Sequence, residues 1–153
     1  MPKSAYAHAL DALTRRARST IELGSWLRER DHAAEEVESA IERLTSSGLL
    51  DDAKYAASFA RSRLLDRKLS KRRVLGDLGR RGIPREMAAA AVSAVIEEEG
   101  VDEESAVEAI AIKKFRSLAK LDRRTAMRRL MGFLARRGYD GDVVRRVVRK
   151  VLA

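Results

Sequence analysis

The sequence predicts an all-α protein, three tandem three-helix repeats forming an elongated, curved array. Three observations predict it. Apolar residues recur at steps of three and four in nearly every segment, and no strand-like alternation survives beyond a few residues. Proline occurs only at Pro2 and Pro84, so long helices are permitted almost everywhere. One short turn also returns three times: Leu27-Arg28-Glu29-Arg30-Asp31-His32, Leu78-Gly79-Arg80-Arg81-Gly82-Ile83 and Leu134-Ala135-Arg136-Arg137-Gly138-Tyr139, at offsets of 51 and 56 residues.

Nine segments carry the helical spacing. Tyr6, Leu10, Leu13 and Ala17 mark the first; Leu23, Trp26 and Leu27 the second; Val37, Ile41 and Leu44 the third. Tyr55 and Phe59 open the fourth. Val74, Leu75 and Leu78 make the fifth, and Ala88, Ala91 and Val95 the sixth. Ile110, Lys114 and Leu118 run through the seventh, and Met127, Leu130, Met131 and Leu134 form the eighth. The ninth, with Val143, Val144, Val147, Val148 and Val151, is rich enough in valine to read as a strand. Its 3-4 spacing, with arginines and a lysine on the other face, favours a helix.

Boundary signals agree. Ser19-Thr20-Ile21-Glu22 is a capping box, in which the serine hydroxyl takes the N3 amide and the glutamate reaches back. Ser70 and Asp122 are simpler N-caps, and Asp51-Asp52 places carboxylates at the positive end of the fourth helix. Gly48, Gly82, Gly100 and Gly138 stand where helices should stop. The repeats are assigned to residues 1–50, 51–100 and 101–153, with helical content at approximately 5–48, 51–99 and 102–153. Ser19 and Ser70 share the 51-residue offset. Each unit is small for independent folding, so neighbours should pack together.

Composition narrows the function. A hydrophobic share of 45% suffices for a core, built of aliphatic residues because aromatics are only 5%. The absence of cysteine excludes disulfides, zinc-thiolate sites and thiol catalysis. No signal core or membrane-length apolar segment is found, so a cytoplasmic protein without membrane association is expected. No catalytic constellation stands out. His8 and His32 lie far apart in sequence with no ligand pattern, and surface or capping roles suit them. Gly76, Gly79 and Gly82 follow no strand, so they form no phosphate loop. The expectation is a non-enzyme with no cofactor and no metal, acting as a monomer.

Charge carries the functional signal. The net charge of +9 is distributed unevenly: −2 over residues 1–60, +8 over 61–85, −8 over 86–112 and +11 over 113–153. Two cationic blocks separated by an acidic one point to an anionic partner, with nucleic acid the first candidate. Few aromatics accompany the cations, so base stacking should be weak and DNA contact non-specific and backbone-directed. Arg80-Arg81 and Arg136-Arg137 have a second explanation, since cations at helix C-termini offset the dipole. The acidic run Glu97-Glu98-Glu99 with Asp102, Glu103 and Glu104 reads as a solvated linker or a contact for a basic partner.

Arg16-Ala17-Arg18-Ser19, followed by Glu22-Leu23 and Leu27, resembles the opening signature of the RecX family of recombinase regulators. Gly48-Leu49-Leu50-Asp51-Asp52, with Tyr55-Ala56, Phe59 and Arg61-Ser62-Arg63, resembles its central signature. Leu78 with Arg80-Arg81-Gly82-Ile83 is similar to the next segment. The likeness is strong over about 15–85, and the last third matches in repeat pattern more than in motif. It departs at Leu69-Ser70, where many relatives carry glycine, and at Gly79, where a longer side chain is usual. The resemblance implies three tandem three-helix repeats and a protein that binds the RecA recombinase filament, usually suppressing strand exchange, ATP hydrolysis and coprotease function. The residues expected to meet RecA or DNA are Arg61, Arg63, Arg72, Arg73, Arg80 and Arg81, then Arg124, Arg128, Arg136 and Arg137. A helix-turn-helix-like, sequence-specific DNA binder is the rival. Against it, no helix gathers the Asn, Gln and Arg suited to reading base edges.

Overall fold

The computed structural model describes residues 2–153. Among these residues there are nine α-helices and no strand: α1 Ala5–Arg15, α2 Thr20–Glu29, α3 Ala34–Ser46, α4 Asp52–Arg61, α5 Lys71–Arg80, α6 Arg85–Glu99, α7 Glu103–Ser117, α8 Arg123–Arg136 and α9 Gly141–Leu152. They make three tandem three-helix repeats, α1–α3, α4–α6 and α7–α9. The valine-rich ninth segment is helical, as its spacing predicts.

The caps form as the sequence predicts. Ser19 and Glu22 complete the capping box of α2. Ser70 Oγ accepts the Arg73 amide at 3.0 Å, and an Asp122 carboxylate oxygen accepts the Thr125 amide at 3.1 Å. Asp51 takes the Lys54 amide at 3.1 Å at the start of α4. Gly48, Gly82, Gly100 and Gly138 all adopt positive φ. One feature was not anticipated. α4 continues into a five-residue π-helical turn, Ser62–Asp66, sealed by the Arg67 amide donating to the Ser62 carbonyl at 3.1 Å.

The chain divides into two compact units, one comprising residues up to Phe59 with Asp77–Ala91, the other Ala60–Gly76 with Val92–Ala153. In the first unit α1, α2 and α3 pack on one another. Its core joins Ala5, Ala9 and Ala12 of α1 to Leu23 and Leu27 of α2, Val37, Ala40 and Leu44 of α3, and Leu50. The larger residues predicted to lead α1, Tyr6, Leu10 and Leu13, flank this core half-buried, and Ala17 is exposed. Alanines occupy the centre because their small side chains let helix axes approach closely.

In the second unit α7, α8 and α9 pack together around Val107, Ala111, Leu118, Ala126, Leu130, Leu134, Tyr139, Val144, Val147 and Val148. The predicted α7 stripe of Ile110, Lys114 and Leu118 is rotated: Val107, Ala111 and Leu118 are buried, whereas Ile110 and Lys114 lie at the margin. Each fully buried leucine or valine contributes roughly 1.5–3 kcal/mol of transfer free energy.

A common junction is built into each unit. In the first, Ser19 Oγ accepts the Glu22 amide and donates to the Arg81 carbonyl at 2.5 Å. Gly82, at φ 84°, packs so closely that a Cβ there would lie 2.6 Å from Ile21 Cβ. In the second, the Ser70 amide donates to the Arg137 carbonyl at 3.3 Å. Gly138, at φ 90°, leaves room for a Cβ only 2.6 Å from Arg73 Cβ and Ser70 Oγ. The N-cap serine of one repeat thus rests on the Arg-Gly turn of the next. Both serines are buried with their polar groups paired.

Candidate functional site

Eight of the ten arginines singled out from sequence belong to the second unit; Arg80 and Arg81 belong to the first. Their surroundings separate them further.

Arg80 ends α5 with an exposed side chain and pairs with Asp77. Arg81 turns inward. Its guanidinium sits 4.8 Å from the Phe59 ring centroid, donates to the Tyr55 hydroxyl at 3.1 Å and reaches Glu22 at 3.5 Å. Burial raises the Tyr55 phenol above its ordinary pKa, with the Arg81 hydrogen bond opposing. The adjacent arginines therefore do different work, Arg80 at the surface and Arg81 inside the junction.

In the second unit Arg61 pairs with Glu99 at 2.6 Å and Glu98 at 3.1 Å. Hydrogen bonding to Glu99 raises the Arg61 pKa. The acidic block thus supplies carboxylates to cations of the same unit: Glu104 meets Arg146 at 3.4 Å and Glu108 meets Lys150 at 3.0 Å. These pairs are solvent-exposed, and screening by water leaves them little net stabilisation. Arg63 is half-buried and donates to Ser62 Oγ at 3.2 Å. Arg72 is exposed beside Lys71. Both cations face Glu103, whose carboxyl burial nevertheless holds above its ordinary pKa.

Two of these arginines bring the start of α5 to the end of α8. Arg73 donates to the Arg136 carbonyl at 2.9 Å, and Arg137 donates to the Arg67 carbonyl at 2.6 Å while lying 4.8 Å from the Phe133 centroid. Arg136 itself is exposed. Arg124 and Arg128 lie one turn apart in the first half of α8, both exposed, roughly 18 and 12 Å along the axis from Arg136. Arg128 helps Asp122 stay ionised, after the larger effect of the Thr125 hydrogen bonds.

Two arrangements escaped sequence reasoning. His8 Nδ1 and His32 Nε2 come within 2.6 Å, with Glu36 3.7 Å from His32 Nδ1. Twenty-four residues separate the histidines, so only the packing of α1 beside the turn after α2 could reveal the pair. Among the described residues no group of three or more His, Cys, Asp or Glu could hold a metal ion. The second arrangement places Arg67, Lys68, Lys113 and Lys114 along one groove with Arg137. Its signal was present in the sequence: Lys114 interrupts the apolar stripe of α7. No described helix is long and apolar enough to cross a membrane.

Comparison with known proteins follows the same division into repeats. Residues 5–44, 51–92 and 102–148 match the family models described as RecX first, second and third three-helix domains. The chain is 35% identical over 150 residues to regulatory protein RecX of Amycolatopsis mediterranei (strain U-32), covering 98% of this chain and 84% of that protein. It is 32% identical over 155 residues to regulatory protein RecX of Thermobifida fusca (strain YX), covering 99% and 82%. The crystal structure of RecX from Lactobacillus salivarius shares the fold at a TM-score of 0.76 and 19% identity, covering 96% of this chain and 94% of that one. Matched in all three repeats and across nearly its whole length, the chain belongs to the RecX family of regulatory proteins.

Proposed function

We propose that this chain binds the RecA–DNA filament and modulates it, mainly by inhibition of recombinase, ATPase and coprotease activities, in DNA repair and the SOS response. It would do so as a cytoplasmic monomer without catalysis of its own. Membership of a family of regulatory proteins supports the reading. The observation that carries it is the exposed cationic surface of α8. Arg124 and Arg128 make no salt bridge among the described residues, whereas Arg61, Arg146 and Lys150 are paired with carboxylates of the acidic block. Cations left in this way are suited to neutralise DNA phosphates, an interaction that weakens steeply with salt.

Arg72 and Arg136, in the same unit, extend this exposed set; Arg80 is exposed in the first unit and pairs with Asp77. Arg61 and Arg63 can join it by exchanging their present partners for a stronger anion. Arg73, Arg81 and Arg137 also stabilise the fold, so charge reversal there would confound binding with stability. Adding the protein to RecA, single-stranded DNA and ATP should lower ATP turnover. An unchanged rate at saturating protein and low salt would remove the inhibitory reading. The variant Arg124→Glu/Arg128→Glu should lose most of the inhibition while melting at the wild-type temperature. Strong preference among duplex sequences would instead favour a helix-turn-helix-like DNA-binding role.

A further inference from the structure

The second unit contains a groove of about 910 Å³, within the size range of ligand and peptide sites. Asp66, the last residue of the π-helical turn, forms one wall with Arg67, Lys68 and Leu69. Residues of α7, including Ile110, Lys113 and Lys114, form the other, and Phe133 of α8 with Arg137 just after it closes the end.

The first wall is held in an unusual conformation. Lys68 adopts φ 53°, a left-handed geometry that costs a non-glycine residue roughly 1 kcal/mol. Two hydrogen bonds hold successive carbonyls there: Arg137 donates to Arg67, and the Tyr139 hydroxyl donates to Lys68. A strained connector pinned at consecutive carbonyls fixes the backbone from which Arg67 and Lys68 line the groove.

The lining is amphipathic. Leu69, Ile110 and Phe133 are half-buried and give an apolar floor. Five cations, Arg67, Lys68, Lys113, Lys114 and Arg137, surround it, against one carboxylate, Asp66. None of the five makes a salt bridge among the described residues. Lys114 and Arg137 lie 4.9 and 4.8 Å from the Phe133 centroid. The ring is therefore already engaged by cations, which argues against its use as a stacking platform for a nucleic-acid base.

We infer that this groove docks a short acidic peptide segment of a protein partner. One large apolar side chain would enter over Leu69, Ile110 and Phe133, and flanking carboxylates would meet Lys113, Lys68 and Arg67. Charge complementarity selects the acid and the floor selects the apolar anchor. This surface is separate from Arg124 and Arg128 and does not rest on the filament reading.

The test uses the full chain and a labelled peptide of Asp and Glu around a single Leu, followed by fluorescence anisotropy. Saturable binding is expected. Arg67→Glu/Lys113→Glu, which changes two exposed side chains, should weaken it about tenfold or more at an unchanged melting temperature. Replacing the peptide's Leu with Ser should also weaken binding about tenfold, as loss of a buried leucine predicts. Backbone amide shifts should move in α7 and residues 66–69. The inference is overturned by absent saturation, by equal binding of the Leu and Ser peptides, or by equal binding to the double variant. Preferential displacement of the peptide by an equally long oligo-dT would also overturn it, assigning the groove to single-stranded nucleic acid.

Discussion

The turn ending the second helix is the same in all three repeats, yet its residues differ for a structural reason. Asp31, Gly82 and Gly138 occupy equivalent positions, and all three have positive φ, 64°, 84° and 90°. At Gly82 and Gly138 the preceding repeat's capping segment presses against the turn, leaving no room for a Cβ. Asp31, at the same place in the first repeat, is exposed. Aspartate tolerates left-handed geometry better than most side chains. Glycine at this turn therefore marks a junction as well as a helix end.

The arginine beside each junction glycine sharpens the comparison. Arg81 is enclosed by Phe59, Tyr55 and Glu22. Arg137 meets Phe133 and a backbone carbonyl but makes no salt bridge among the described residues, and it borders an open groove. One Leu-x-Arg-Arg-Gly pattern thus gives a structural arginine in the first unit and one that combines support with an available charge in the second. Motif identity does not settle a residue's role, because the neighbours that decide it come from elsewhere in the chain.

The largest expected effect separates junction from plain turn. Gly82→Ala and Gly138→Ala combine left-handed strain with overpacking and should each cost about 3 kcal/mol in urea denaturation. Asp31→Gly should stay within about 1 kcal/mol of wild type, since it relieves strain while adding chain entropy. Similar losses at all three positions would break the comparison.

A smaller effect belongs to the second junction and depends on pH. Burial pushes the Tyr139 phenol up to about 12 from an ordinary value of 10.0. A folded pKa above the unfolded one means that this contribution is fully present below pH 10 and disappears as pH rises through 12. The phenol should account for up to about 2 kcal/mol of alkaline destabilisation. Tyr139→Phe should be about 1 kcal/mol less stable at neutral pH, having lost the hydrogen bond to Lys68, and the deficit should shrink between pH 10 and 12. Parallel pH–stability curves for the two proteins would refute this.

The smallest effect tests the two neighbouring arginines. Arg81→Gln should lower stability by about 1 kcal/mol through its half-buried contacts with Glu22 and Tyr55. Arg80→Gln, at a side chain 69% exposed, should change it by less than about 0.5 kcal/mol. Equal losses in thermal melts would erase the distinction drawn between them.

Much of the fold was legible in local pattern. Ser19, Ser70 and Asp122 announced helix starts because capping joins residues only three apart. Gly48, Gly82, Gly100 and Gly138 announced ends because a single backbone angle demands them. The rotated α7 stripe was harder to read. Val107 and Ala111 are smaller than Ile110, and apolar size alone does not identify the face that a neighbouring helix covers. The π-helical turn after Arg61 also had no local signature.

The candidate site was legible mainly as charge. The excess of arginine and lysine over residues 61–85 and 113–153 is a property of the chain itself. Sequence did not distinguish Arg80 from Arg81, pair Arg61 with Glu98 and Glu99, or place Lys68 and Lys113 along the same groove. Each of those relations spans tens of residues.

By itself, then, the sequence determined the all-helical class, the threefold repeat, the caps and the cationic blocks, because these rest on spacings of a few residues, on comparison of like segments and on composition. Tertiary structure alone decided which glycines guard junctions, which arginines are enclosed, and where cations gather around an apolar floor. Burial and electrostatic pairing depend on distances in space, and helices distant along the chain set those distances.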